Sequence, residues 1–208
     1  EHGLLFSANV LKGHKTGYFL DHRHNRKRIA ELSAGKKVLD VFAYAGGFSV
    51  HALAGGASEV ISIDISKQAL QQAKQNAELN QVADKLQVMV VDAFKAMEQL
   101  IAEGRLFDIV VIDPPSFAKQ AAEVAVAKKQ YQRLATLGAA LVKKQGILFL
   151  ASCSARVSAD DFYAWTAQSL EMAGIAYEVM EKTLQDIDHP IAFREGAYLK
   201  AVYYRILV

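Results

Sequence analysis

The sequence has little that could cross-link the chain or anchor it in a membrane. Its 208 residues include one cysteine, Cys153, which excludes an internal disulfide framework and a multi-cysteine zinc site. No apolar run approaches the roughly 20 residues that a membrane helix requires, and the first residues lack the pattern of a signal peptide. We therefore expect a cytoplasmic protein with no bound metal and no membrane partner.

Length and charge give broader indications. A chain of 208 residues with 52% hydrophobic content suffices for one α/β domain with a full core. The net charge is only +2, but residues 1–28 contain six basic side chains against two acidic ones. This basic cluster is either a solvated helix face or a patch that contacts phosphates. It consists of Lys12, Lys15, Arg23, Arg26, Lys27 and Arg28. Because the chain begins at Glu1 rather than at methionine, we expect it to be a piece of a longer protein.

Short apolar runs rich in β-branched residues alternate with helical patterns along most of the chain. The expected parallel strands cover 37–42, 59–64, 86–91, 107–113 and 147–152, and the expected helices cover 47–55, 66–80, 93–103, 120–144 and 158–173. Two further strands, near 176–182 and 198–206, would form an antiparallel edge. The sequence therefore predicts a doubly wound α/β fold with a mostly parallel seven-stranded sheet, whose ligand site lies at the carboxyl ends of the strands.

The first residues follow a different pattern. Segments 4–10 and 16–21 are expected to be extended, and 22–33 is expected to be a polar helix. We assign residues 1–33 to a segment that leads into the domain and residues 34–208 to the domain itself.

Carboxylates end the first three predicted strands. Asp40 opens a turn that reaches Gly46, where the backbone could approach a ligand, although such a turn can also merely join a strand to a helix. Asp64 could accept both hydroxyls of a ribose, and Asp92 could accept from an adenine amine or act as an ordinary helix cap. Together they predict an adenosyl cofactor. An acid at the first strand end favours S-adenosylmethionine, which has a cationic tail, over NAD.

The fourth predicted strand ends in Asp113-Pro114-Pro115-Ser116-Phe117. The two prolines fix φ and force an extended exit, so we expect Asp113 to lie beside the reactive end of the cofactor. The alternative is that the prolines only terminate the strand. Phe117 could stack on a flipped base or simply pack in the core.

The fifth predicted strand ends at Cys153, on the same rim as the carboxylates. A lone cysteine is more often a small buried hydrophobe, but this position favours catalysis. A thiolate that adds to carbon 6 of a pyrimidine makes carbon 5 nucleophilic enough to attack a methyl sulfonium. A carboxyl group such as Asp113 could then hydrogen-bond the N3/N4 edge of the base. The predicted reaction is therefore cytosine-C5 methylation.

With these residues, the chain resembles the family of large-subunit ribosomal RNA methyltransferase I. The likeness is carried by Gly13-His-Lys-Thr-Gly-Tyr-Phe-Leu-Asp21, the Phe42-Ala-Tyr-Ala-Gly-Gly-Phe48 turn, Asp113-Pro-Pro-Ser-Phe117, Ser152-Cys-Ser154, Asp188-His-Pro190 and Glu195-Gly-Ala-Tyr-Leu-Lys200. It implies a Rossmann-like class I fold, a ribosomal RNA substrate and a nucleophilic Cys153. The cofactor contacts that it implies are at or next to Phe19, Arg23, Tyr44, Gly46, Asp64, Ile65, Asp92 and Ala93, and we add Asp40 and Asp113 to that set.

The chain departs from the family in several places. It has His22 where family members often have glutamine, which is closer to a guanine-N7 methylating relative, but that relative has asparagines where this chain has Ser-Cys-Ser. Ser116 follows the prolines where other RNA cytosine-C5 enzymes carry a second cysteine. The family usually has an N-terminal RNA-binding PUA domain that this sequence does not contain, so we expect the catalytic domain only, with RNA affinity weak or located elsewhere.

Several alternatives stay open from the sequence. Pro114, Phe117 and His189 are the candidate substrate contacts, and His189 could instead satisfy local structure. The reaction could also be methylation of guanine or an exocyclic amine without a covalent intermediate, or of a small molecule. A module that binds without catalysing is the non-enzymatic alternative. RNA is the expected partner, and a homodimer is compatible with the sequence.

Overall fold

The structure, a computed structural model, describes residues 1–7, 17–193 and 196–207. By their internal contacts these residues form two compact units, Glu1–Ala93 and Phe94–Val208. Each unit alternates strands with helices, as the apolar pattern predicts.

The first unit contains three parallel strands in the order β3-β2-β1. Its elements are α1 Arg23–Leu32, β1 Lys37–Val41, α2 Gly47–Ala54, β2 Glu59–Asp64, α3 Lys67–Leu79, a 3-10 helix Ala83–Lys85 and β3 Leu86–Val90. Helix α4, Ala93–Ala102, begins at Ala93, the last residue of the first unit. Ser66 caps α3, because its side chain accepts a hydrogen bond from the Ala69 amide. Small residues at helical spacing then turn the buried face of α3 inward, namely Ala69, Ala73 and Ala77.

The second unit contains four strands in the order β4-β5-β7-β6. Its elements are β4 Phe107–Ile112, a 3-10 helix Ala121–Glu123, α5 Val124–Ala140, β5 Val142–Ser152, α6 Ala159–Met172, β6 Tyr177–Leu184 and β7 Lys200–Ile206. β4 and β5 are parallel, whereas β7 runs antiparallel to both β5 and β6. The predicted α/β class with a mostly parallel seven-stranded sheet and an antiparallel C-terminal edge is confirmed.

The predicted helix over 120–144 is too long. Helix α5 ends at Ala140, and β5 begins at Val142, five residues before the predicted strand. The apolar residues Leu141 and Val142 continue the helical spacing, but Val142 instead pairs with Phe107 of β4. The register of β4 against β5 then shifts, and Gln145 adopts a left-handed φ of 65°. A bulge of this kind leaves little trace in the hydrophobic pattern.

Of the elements predicted for the N-terminal segment, the helix is confirmed and the extended segments lie partly outside the described residues. Helix α1 covers nearly all of the predicted 22–33. The extended segments predicted over 4–10 and 16–21 lie partly outside the described residues, as do Lys12 and Lys15 of the basic cluster. The division into a leading segment 1–33 and a domain 34–208 stays a prediction. In the described part of the chain, no helix is long and apolar enough to cross a membrane.

Arg26 of the basic cluster is an internal residue, 3% exposed. Its guanidinium donates two hydrogen bonds of 2.7 Å to the Glu1 carboxylate. Burial opposes the charge on Glu1, but the hydrogen bonds and charges of Arg26 and His51 outweigh it and lower the pKa of Glu1 to about 2. Arg26 is therefore neither part of a solvated helix face nor a phosphate contact.

The contact between α1 and α2 gives a stability prediction. A Cβ at Gly55, the residue after α2, would lie 2.1 Å from the backbone carbonyl oxygen of Ala30. Because backbone atoms must then move, Gly55→Ala should lower the free energy of unfolding by about 1–3 kcal/mol, measured by urea denaturation. Gly196→Ala is the matched control, since its Cβ meets only ordinary contacts from 3.7 Å. Equal stability of the two variants would contradict this close packing of α1 on α2.

Candidate active site

The turn between β1 and α2 is built around the buried carboxylate of Asp40, which is 1% exposed. Its Oδ2 accepts hydrogen bonds from the Ser49 amide at 3.0 Å and the Ser49 hydroxyl at 2.6 Å. The Ser49 hydroxyl also lies 2.6 Å from that of Ser62 in β2. Asp40 therefore satisfies an otherwise unpaired amide in the first turn of α2, where a negative charge is also favoured by the helix dipole. Its predicted contact with the cofactor stays a prediction.

Three residues of the same turn have positive backbone φ angles. Phe42, Tyr44 and Gly46 have φ values of 66°, 47° and 76°, and for the two aromatic residues such values are strained. Gly46 must be glycine for a second reason, because a Cβ there would lie 2.8 Å from the Cβ of Ala73 in α3. The turn is thus pressed against α3 and fixed in one conformation.

Asp64 at the end of β2 holds this turn from the other side. Its Oδ2 accepts a hydrogen bond from the Tyr44 amide at 2.9 Å, and its Oδ1 accepts one from the Ser66 amide at 2.8 Å. Since a carboxylate oxygen can accept more than one hydrogen bond, both oxygens keep capacity for ribose hydroxyls. Asn76 adds a third restraint, because its side-chain amide donates to the Ala45 carbonyl at 2.9 Å.

The other predicted cofactor residues of the first unit have the following positions in the fold. Ile65 follows Asp64 directly and is 74% exposed, which leaves an apolar surface beside the carboxylate. The Phe19 ring lies 5.2 Å from the Tyr44 ring, so these two predicted residues are together in the structure. Arg23 begins α1, Asp92 follows β3 and is half-buried, and Ala93 begins α4 and is buried. Their cofactor contacts, like the others in this set, stay predictions.

In the second unit, the predicted nucleophile and the proline turn are in contact. The Cys153 thiol is partly buried and donates a weak hydrogen bond to the Pro114 carbonyl at 3.8 Å. The Ser116 hydroxyl, two residues further along the turn, lies 2.9 Å from that of Ser154. The turn after β4 therefore contacts Cys153 through the Pro114 carbonyl and Ser154 through the Ser116 hydroxyl.

Tyr131 of α5 fixes the two serines that flank Cys153. Its hydroxyl accepts a hydrogen bond from Ser152 at 2.8 Å and lies 2.9 Å from the Ser154 hydroxyl. Burial raises the pKa of Tyr131, the two serine contacts act in the opposite direction, and charge on Cys153 and on Asp113 raises it further. Tyr131 is therefore a neutral hydroxyl within electrostatic reach of both predicted catalytic residues.

Lys200 lies at the start of β7 and is 1% exposed. Its Cα pairs with that of Ser152, the residue before Cys153. Its ammonium group donates to the carbonyls of Ser154, Val157 and Tyr198 at 2.5, 2.6 and 3.1 Å. Burial lowers the pKa of Lys200 to about 8, and charge on Cys153 acts in the opposite direction. The group is thus still protonated at neutral pH.

The predicted substrate residues have different surroundings. Phe117 is half-buried and packs edge-on against Tyr131, with 5.2 Å between the ring centroids. His189 lies between β6 and β7, and its Nδ1 is 2.9 Å from the Asp188 carboxylate. Both arrangements are compatible with local packing, so contacts of Pro114, Phe117 and His189 with a substrate stay predictions.

The sequence motifs do not indicate Tyr131, Ser49 or Asn76, and they include Lys200 only as the last residue of the motif Glu195-Gly-Ala-Tyr-Leu-Lys200. Tyr131 lies within the helical pattern of α5, which indicates burial but no role. Lys200 did carry a signal, because it is the charged residue that opens an otherwise buried strand. In the described residues, no group of three or more His, Cys, Asp or Glu side chains could hold a metal ion.

The α/β fold, with a glycine turn after the first strand and a carboxylate ending the second, defines the class of enzymes that bind a nucleoside cofactor at strand ends. Residues 1–205 match the model of the S-adenosylmethionine-dependent methyltransferase family, and the chain belongs to that family. The predicted cofactor, S-adenosylmethionine, is confirmed.

Three similar proteins illustrate the membership. A ribosomal RNA large subunit methyltransferase of Deinococcus radiodurans is 41% identical over 204 residues, which are 98% of this chain and 50% of that protein. Ribosomal RNA large subunit methyltransferase I of Aeromonas salmonicida is 38% identical over 99% of this chain and 52% of its own length. The crystal structure of SMU.776 complexed with SAH has a TM-score of 0.89 and 26% identity, covering 99% of this chain and 54% of that one. The chain thus spans about half the length of these relatives.

The contacts of Asp64 give a prediction for cofactor binding. Asp64→Asn places an amide group next to a backbone amide and removes a charged acceptor, which costs about 1.5–3 kcal/mol. S-adenosylmethionine should therefore bind about 10- to 100-fold more weakly, measured by isothermal titration calorimetry. Asp84→Asn, in the 3-10 helix before β3, is the matched control and should bind as the unchanged chain does. Equal affinity of both variants would remove Asp64 from the cofactor site.

Proposed function

We propose that this chain is the catalytic part of an enzyme that methylates carbon 5 of a cytosine in ribosomal RNA through a covalent bond to Cys153. The observation that carries the proposal is the placement of Cys153. Its thiol is partly buried against the Pro114 carbonyl, between two serines that Tyr131 holds, directly after a buried strand. A thiol kept only for packing would not need hydroxyl anchors on both sides.

The proposed chemistry follows from these positions. The Cys153 sulfur attacks carbon 6 of the cytosine, and the electron pair of the 5,6 double bond moves toward carbon 5. S-adenosylmethionine, when bound, would supply the methyl group to carbon 5, with the S–CH3 bond broken and S-adenosylhomocysteine as the leaving group. A base then removes the carbon-5 proton, the double bond reforms and the sulfur leaves with its electron pair. Asp113 is proposed to hydrogen-bond the N3/N4 edge of the base, and Phe117 to stack on it.

The RNA substrate is supported by the relatives. Two of them are named as ribosomal RNA large subunit methyltransferases and align with nearly all of this chain. The proposal of a cytoplasmic reaction rests on that substrate. Within the described part of the basic cluster, Lys27 is exposed, whereas Arg26 is buried and cannot take part. RNA contacts are proposed for Phe117 and for His189 rather than for Arg26.

The covalent step is tested by removing the sulfur. Cys153→Ala should lower methyl transfer to unmodified large-subunit ribosomal RNA by at least about 10³-fold, because carbon 5 is then not activated. S-adenosylmethionine affinity should stay unchanged. Mass spectrometry of the nucleosides names the product, which should be 5-methylcytidine. Undiminished transfer by Cys153→Ala would exclude the covalent mechanism, and a methylated guanine would support the guanine alternative.

The intermediate itself can be trapped. RNA with 5-fluorocytidine at the target carries fluorine where the proton must leave, so the sulfur cannot be released after methyl transfer. We expect a protein–RNA adduct that survives denaturing electrophoresis, appears only with S-adenosylmethionine and maps to Cys153. Cys153→Ser should give no adduct, and Lys182→Met, on the exposed face of β6, should give as much as the unchanged chain. An adduct formed by Cys153→Ser would move the nucleophile to another residue.

A further inference from the structure

Lys200 is a buried charge that the proposed chemistry does not use. Taking an ammonium group out of water costs several kcal/mol unless polar partners replace the lost hydration. Three backbone carbonyls replace it here, and two of them belong to the four residues after Cys153. In the described ranges no carboxylate pairs with Lys200, while Glu195 lies outside them. A lysine that only supported a strand could leave its charged end in solvent, as long side chains usually do.

Lys200 interacts with the residues on either side of Cys153. Ser152 pairs with Lys200 across β5 and β7, and the Lys200 ammonium binds the carbonyl of Ser154. Cys153 lies between these two anchored residues. Charge on Cys153 raises the pKa of Lys200 against the effect of burial, so the two groups interact electrostatically.

We propose that Lys200 is a positioning residue, which holds the loop after Cys153 in place and whose buried positive charge stabilises the Cys153 thiolate. This deepens the proposed function and rests on it, since a thiolate here has a role only if Cys153 is the nucleophile. Because Lys200 is buried and Cys153 is partly buried, water screens the opposite charge less than it would at a surface.

Among the described residues, three other groups near Cys153 supply no buried positive charge. Asp113, which follows β4, is an acidic side chain and supplies no positive charge. From α5, Tyr131 is neutral, and it can only offer its hydroxyl to the flanking serines. Arg156 of the loop itself is exposed to solvent. Lys200 on β7 is thus the buried cation among the described neighbours of the thiol.

The single cysteine makes the test direct. The pH dependence of alkylation by iodoacetamide reports the ionisation of Cys153 alone, without RNA or cofactor. In Lys200→Met the apparent pKa of the thiol should rise by about one unit, so alkylation at pH 7 should slow by about tenfold. Lys182→Met is the matched control, because it removes an exposed lysine on β6. It should keep the thiol pKa within about 0.3 units of that of the unchanged chain.

An unchanged thiol pKa in folded Lys200→Met would overturn the proposal and leave Lys200 a purely structural residue. If Lys200→Met does not fold, the reciprocal measurement decides. The Lys200 ammonium should titrate at lower pH in Cys153→Ala than in the unchanged chain, followed by NMR of ¹⁵N-labelled lysine, because the thiolate that favours its protonation is gone. An identical titration would overturn the proposal equally. Neither measurement requires methyl transfer, so failure of the cytosine assignment is distinguishable from failure of this inference.

Discussion

The position of Cys153, the predicted nucleophile, depends on the hydrogen bonds of the Tyr131 hydroxyl group. This hydroxyl accepts from Ser152 and contacts Ser154, and Ser154 in turn contacts Ser116 in the proline turn. The segments that follow β4 and β5 are therefore tied to one point on α5. A buried hydroxyl network is costly when one member is missing, because each remaining group then loses a partner in a medium of low polarity. The network thus fixes a single position for Cys153.

In the first unit, the loop at the strand end is also held rigid, but by backbone strain and its restraints rather than by a hydroxyl network. There the glycine turn is held in strained backbone conformations at Phe42 and Tyr44, and Asp64 offsets that strain with a hydrogen bond to the Tyr44 amide. Strain of this kind persists only where the surroundings fix the chain from several sides. Asp40 of β1, which accepts a hydrogen bond from Ser49 of α2, and Ala73 of α3 supply the other sides. Both units therefore place rigid loops at strand ends, and in both a side chain from a neighbouring element provides the rigidity.

How far the sequence predicts this arrangement depends on the range of the interactions. The strands, the helices, Asp40 near the end of β1 and Asp64 at the end of β2 follow from local hydrophobic pattern and composition. The structure has these elements close to their predicted positions, except at the junction of α5 and β5. The start of β5 does not follow, because Val142 pairs with Phe107, 35 positions earlier, and that pairing overrides helical spacing. Tyr131 and Lys200 were missed as site residues for the same reason. Their roles arise from partners 21 to 46 positions away in the chain, which no local pattern reports.

Because position 116 is a serine and not a second cysteine, the ionisation of Cys153 affects two steps of the proposed reaction. In the proposed reaction the sulfur must first attack carbon 6 as a thiolate and later leave carbon 6 as a thiolate. A lower thiol pKa raises the fraction of thiolate and makes the sulfur a better leaving group. The intrinsic nucleophilicity of the thiolate falls by less than its fraction rises. A buried cation beside Cys153 would therefore assist both steps. In the proposed reaction, release of the product is left to the elimination step alone, because position 116 is a serine, which contacts Ser154. Among the described residues of this unit, the buried ammonium of Lys200 is proposed to promote that step.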